Sequence, residues 1–282
     1  MIKRFRKEAV LILTGFFCLA LFRPAFSQEA VVSQAMTAEQ LTADVSQKWS
    51  NIQDFQADLT IGVPVSGKTT KIEGIVWQKE RVFRTEITVP PEIVEAVAGF
   101  RPAGLFEVLM VFDGKTMWLS LPTMNMVMKT DISALEGKTN NALFSKPLYS
   151  LPALSYKLSE KNRNGNDYYF LETGEIKDFF QKSAVPFMGM FLPAKPPLRR
   201  IGAWVNKNTL FPDLVEFYAQ KNAPVMYAEF KNVKTNQGLS PKLFVFKVPE
   251  GAMPMDMTET MKAMAGKMTQ SATEPDTIQA PK

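Results

Sequence analysis

The chain is 282 residues long, carries a formal net charge of +5 and contains no histidine and a single cysteine, Cys18. Without imidazole, and without thiol past residue 18, it cannot run Ser-His or Cys-His catalysis, build a Cys/His zinc site or close a disulfide. Lys3, Arg4, Arg6, Lys7 and Arg23 against Glu8 supply all but one unit of the charge, so the remainder is near neutral and lacks the clustered cations that nucleic-acid phosphates demand.

Those cations open a secretory signal pattern: a basic start, an apolar run over 9–22, and small residues at Ala25-Phe26-Ser27. The run is too short to span a bilayer, and no later stretch reaches the roughly 20 apolar residues a span needs. Phe17 precedes Cys18 where a lipid-anchored precursor wants a small residue. The reading is therefore an exported chain: a leader over 1–27 cleaved near Ser27, a folded domain over 28–251, and a tail over 252–282.

Thr37-Ala38-Glu39-Gln40 is a capping box, and Leu41, Val45, Trp49 and Ile52 follow at helical spacing. From Phe55 the period becomes two, with Phe55, Ala57, Leu59, Ile61 and Val63 alternating against polar neighbours, which predicts a half-buried strand. Further strands are predicted at 70–78, 82–89, 108–112, 116–121, 124–130, 155–161, 167–173, 199–206, 210–218, 225–233 and 243–248. Asp113-Gly114 and Asn164-Gly165 are hairpin turns, since glycine accepts the positive φ that primed turns require. Short helical patches are expected around Ile93, Val94 and Val97 and over 140–149. The spacing predicts a mainly β, antiparallel meander without β-helix-β crossovers.

Two segments stand out from this meander. Residues 178–197 crowd Phe187, Met188 and Phe191 among prolines, more apolar area than a surface connection carries alone. In the tail, Met257, Met261, Met264 and Met268 step at helical spacing.

Gly62-Val63-Pro64-Val65-Ser66-Gly67-Lys68-Thr69 matches the phosphate-loop pattern letter for letter. That loop works at the start of a helix, whereas the residues after Lys68 are β-patterned, so a turn between strands accounts for them better. Met124, Met126 and Met128 share one strand face, and Met253, Met255 and Met257 alternate likewise. Thioethers ligate Cu(I), but they also fill irregular apolar space; with no histidine or cysteine to assist, packing is the preferred reading and no metal is expected. Glu73, Glu86, Asp113 and Glu172 form no distinctive acid pair, and no hydrolase elbow is present.

Four segments in order resemble the periplasmic lipoprotein carrier LolA and its superfamily. They are Ile52-Gln53-Asp54-Phe55-Gln56-Ala57-Asp58-Leu59-Thr60, Gly74-Ile75-Val76-Trp77-Gln78-Lys79, the hairpin 111–118 with Pro122, and Leu243-Phe244-Val245-Phe246-Lys247-Val248-Pro249-Glu250-Gly251. The resemblance implies a single strongly curved antiparallel sheet, an unclosed β-barrel, covered by short helices acting as a lid. It implies a periplasmic, cofactor-free, non-enzymatic monomer that takes acyl chains of lipoproteins or related lipids from an inner-membrane donor complex to an outer-membrane acceptor, with transient membrane contact and no nucleic acid. On that reading Leu59, Ile61, Trp77, Phe83, Met110, Phe112, Trp118, Met126, Met128, Phe230 and Phe246 line the cavity. Ile93, Val94, Val97, Phe187, Met188 and Phe191 belong to the lid or transfer loop. The family's arginine-proline latch has no counterpart at Lys79-Glu80-Arg81-Val82-Phe83-Arg84, where Arg81 or Arg84 would substitute. A lipid-sensing regulatory module of the same fold is the alternative; from other classes, a hydrolase and a nucleotide-binding protein using Gly62 to Thr69 are disfavoured.

Overall fold

The computed structural model describes residues 36–135, 154–176, 198–219 and 223–263. Helix α1 (Ala38–Ser50) starts at the expected box: the Thr37 hydroxyl accepts from the Gln40 amide at 3.1 Å and the Gln40 side chain accepts from the Thr37 amide at 3.0 Å. It buries Leu41, Val45 and Trp49, the stripe that helical spacing predicts.

Strands β1 (Asp54–Val65), β2 (Lys68–Lys79), β3 (Val82–Val89), β4 (Phe106–Phe112), β5 (Thr116–Leu121) and β6 (Met126–Asp131) follow, with helix α2 (Pro91–Ala98) between β3 and β4. Then come β7 (Tyr156–Arg163), β8 (Asn166–Thr173), β9 (Arg200–Asn206), β10 (Pro212–Tyr218), β11 (Pro224–Thr235) and β12 (Pro254–Asp256). All join one open sheet of twelve strands in the order β12-β6-β5-β4-β3-β2-β1-β11-β10-β9-β8-β7.

The pairing is antiparallel except between β12 and β6, which run parallel, so the sheet is mixed rather than wholly antiparallel. Strand β12 also lies past Gly251, where the folded domain was expected to end. The strand predicted at 243–248 is absent. Pro241–Phe244 forms a short 3₁₀ turn and 245–249 runs on without ladder partners, because this stretch crosses the sheet instead of following a strand.

Ser66 and Gly67, at φ 49° and 78°, join β1 to β2 as a two-residue primed turn with Val65 opposite Lys68. The phosphate-loop match is thus a β-hairpin, and its glycines and lysine never sit at a helix start. Asn164 and Gly165 turn β7 into β8 the same way, at φ 54° and 80°. Between β4 and β5 the link is 113–115: the Asp113 carboxylate accepts from the amides of Lys115 at 3.0 Å and Thr116 at 2.7 Å. At Gly74 a Cβ would stand 2.0 Å from the Glu86 carbonyl, so glycine is what lets β2 coil this tightly against β3.

Residues two apart on every strand share a face. One face, here called inner, carries a continuous apolar cluster that includes Val63, Ile72, Ile87, Val108, Ile201 and Phe217 and receives Ile93 and Val94 of α2. The predicted leader over 1–27, the predicted helix at 140–149, the segment 178–197 with Phe187, Met188 and Phe191, and Met264 and Met268 lie outside the described residues.

Candidate functional site

Cross-strand register sorts the predicted cavity residues into two groups. Leu59 stands opposite Phe230 and Gly74, and Ile61 opposite Ile72 and Ala228. Phe83 pairs with Phe112, their rings 5.9 Å apart, and Met110 pairs with Leu119, itself beside Met128. Leu121 lies opposite Met126 on the same side. Leu59, Ile61, Phe83, Met110, Phe112, Met126, Met128 and Phe230 therefore all belong to the inner face. Val63, Ile72, Ile87 and Val108 extend this wall: Val63 and Val108 sit two residues from Ile61 and Met110, Ile72 lies across from Ile61, and Ile87 lies across from Val108, so alternation and register carry the signal for them.

Trp77, Trp118 and Phe246 fall on the opposite, outer face. Trp77, Arg84, Val111, Trp118 and Lys129 stand side by side across β2, β3, β4, β5 and β6. Over that row runs the segment 236–256. The buried Asp54 carboxylate accepts from the amides of Gln237 at 2.7 Å and Leu239 at 2.9 Å. Lys79 then donates to the Leu239 carbonyl at 2.8 Å and Arg84 to the Leu243 carbonyl at 3.5 Å. Phe246 stacks on Trp118, and the chain ends the crossing as β12 beside β6. Phe244 of this segment and Val111 of β4 are both buried.

The two arginines considered as latches have other positions. Arg81 is exposed in the β2–β3 turn. Arg84 pairs with Glu86, Nε to Oε1 2.7 Å, and holds the outer crossing segment, so it does not reach a helix on the inner face. Among the predicted lid residues, Ile93 and Val94 are buried in the inner cluster, while Val97 is 41% exposed. Phe100 and Leu105 just beyond α2 are exposed as well. At the other end, Trp49 of α1 packs 4.3 Å from Phe211 and donates to the Leu210 carbonyl at 2.9 Å; Phe211 in turn meets Phe55 and Phe230.

A cleft of about 1070 Å³ opens along β11, reached by Arg163, Tyr168, Asp213, Tyr227, Glu229 and Lys231. Its charges answer one another. Arg163 meets Glu229 at 2.9 Å, and Tyr168 donates to Asp213 at 3.1 Å. Burial raises the pKa of Asp213 against the hydrogen bonds from Asn206 and Tyr168. Burial acts on Glu229 in the same sense, yet Arg163 and Lys231 together hold its carboxyl below the usual value. Burial also lifts the Tyr168 hydroxyl, helped by the Asp213 charge. Trp49, Phe211, Leu214 and the predicted cavity residue Phe230 also line this cleft, so it presents apolar and charged groups together.

Among the described residues, no group of three His, Cys, Asp or Glu gathers as for a metal ion, and no helix is long and apolar enough to cross a membrane.

No protein-family model and no curated protein matches the chain. Solved structures similar to it include an uncharacterized conserved protein from Thermus thermophilus, at 12% identity and TM-score 0.48 over 78% of this chain and 98% of that one. Others are a LolA superfamily protein from Nitrosomonas europaea (16%, TM-score 0.33, 75% and 99%) and the lipoprotein LppX from Mycobacterium tuberculosis (10%, TM-score 0.40, 72% and 99%). In its own topology the chain is one open sheet of twelve strands whose inner apolar cluster receives Ile93 and Val94 of α2.

Proposed function

We propose that this chain is an exported, non-enzymatic carrier that holds the acyl chains of lipoproteins or related lipids against the inner face and shuttles them towards the outer membrane. The observation that carries this reading is the continuity of the inner apolar cluster, which runs from Met117 on β5 to Ile201 on β9 and takes in Ile93 and Val94 of α2. An acyl chain that leaves water for that face gains ~0.8 kcal/mol per buried CH₂ through contacts that fix no direction, less the cost of exposing Ile93 and Val94 where it displaces α2, which suits loading and release. Methionines at 110, 126 and 128 adapt the wall to chains of different shape.

The lid in this account is α2. Its Ile93 and Val94 occupy the inner cluster when no cargo is bound, and its exposed Val97 with Phe100 provides the apolar rim over which a chain enters. The segment 178–197 is assigned to transfer, with cargo passing between an inner-membrane donor and an outer-membrane acceptor in the periplasm. Organic extraction and native mass spectrometry of protein purified from an exporting host test the proposal: bound acyl lipid supports it, and an empty protein that takes up no acyl probe refutes it.

A further inference from the structure

The packing reading of the methionines holds for Met110, Met117 and Met226, which are all but inaccessible, and fails at one sheet edge. Met253 is 89% exposed, Met255 53% and Met124 44%. A thioether that is left in water fills no gap.

Register brings one of these, Met255, beside the half-buried Met128 and Met126. In the parallel β12–β6 pair, Met255 lies directly beside Met128 and Asp256 beside Lys129. The Lys129–Asp256 ion pair at 3.3 Å confirms that such neighbours share a face. Met126 is two residues before Met128, hence on the same side as Met128 and Met255. Adjacent strands run roughly 4.8 Å apart, within the span of two unbranched methionine arms converging on one atom. Met253 and Met124 flank this trio in the chain.

We propose that Met126, Met128 and Met255 form a thioether site for a soft monovalent cation, Cu(I), with Met253 or Met124 available as a fourth donor. Thioethers select Cu(I) over harder divalent ions. From Gln28 onward the chain has no histidine or cysteine to divert the metal or to recruit zinc. Lys129 is turned to the other face, where Asp256 neutralises it, so the sulfur side carries no competing ammonium. The site shares Met126 and Met128 with the wall assigned to acyl chains, and its sulfur signature is read without any lipid present.

The test is anaerobic titration of the full chain with Cu(I) in competition with bathocuproine disulfonate, with X-ray absorption to read the donor atoms. Wild-type protein should withdraw one equivalent into a sulfur-only shell and ignore Zn(II). Met128→Leu with Met255→Leu keeps volume and fold and should weaken binding about a hundredfold or more. Met226→Leu, in the core, should bind as wild type. The proposal is overturned if the chelator keeps all the copper, if the shell contains only oxygen or nitrogen, or if the Met128/Met255 double variant binds unchanged.

Discussion

Trp118 and Phe246 stack with ring centroids 5.0 Å apart and planes within 19°. The contact lies on the outer face, where the Trp118 indole also donates to Asp113 at 3.2 Å. It clamps the middle of a segment that links β11, in the centre of the sheet, to β12 at its edge. Phe246→Ala should therefore cost about 1–3 kcal/mol in urea unfolding and speed proteolysis within 236–256. Unchanged cleavage would show that the stack does not hold the crossing.

Asp54 begins the same crossing. Its buried carboxylate is the acceptor for two backbone amides that otherwise have water only by opening. Asp54→Ala strands both donors and should destabilise by about 2–4 kcal/mol, read as a lower urea midpoint. Asp54→Asn, which keeps one acceptor oxygen, should fall between.

Gly62 is needed for Tyr227, not for phosphate. A Cβ at Gly62 would stand 2.2 Å from the Tyr227 ring. Gly62→Ala should cost about 1–3 kcal/mol, most of it recovered in a Tyr227→Ala background. A double-mutant cycle with no coupling would contradict the packing.

The β12 edge should respond to acid. Hydrogen bonds from Thr258, and then Lys129, hold the Asp256 carboxyl at about 2, below its ordinary 3.8. The folded state thus binds fewer protons than the unfolded chain in that window, and stability rises with pH there. The contribution is present above roughly pH 4 and is lost as pH falls towards 2. Comparing unfolding of wild type and Asp256→Asn across pH 2 to 5 should show a steeper slope in the first than in the second, where Glu229 still contributes.

Most strand positions were legible because period two survives wherever one face is buried: 82–89 and 116–121 are read from sequence as they stand in the structure. Which face is inner was harder. Phe112 pairs with Met117, so an even position on β4 shares a side with odd positions on β5, and Trp118 must face away from Phe112. That parity is present in the sequence, but aromatic character grouped the two rings on one wall. The segment 243–248 misled for a different reason. Its alternation serves a crossing over the outer face, with Phe244 and Phe246 turned down onto it, and alternation does not distinguish a strand from a strap. Asp54 as its anchor was invisible because its partners are amides nearly two hundred positions away in the chain.

The central claim is that cargo occupies the inner face, and affinity for a fluorescent fatty-acyl probe tests it most directly. Ile61 and Leu119 are only partly buried against the inner cluster, so Ile61→Gln with Leu119→Gln changes the wall without emptying the core. The account predicts that this pair weakens probe binding about tenfold or more, while Trp118→Leu on the outer face leaves it unchanged. Probe binding that ignores the inner pair and is lost with Trp118 would contradict the account.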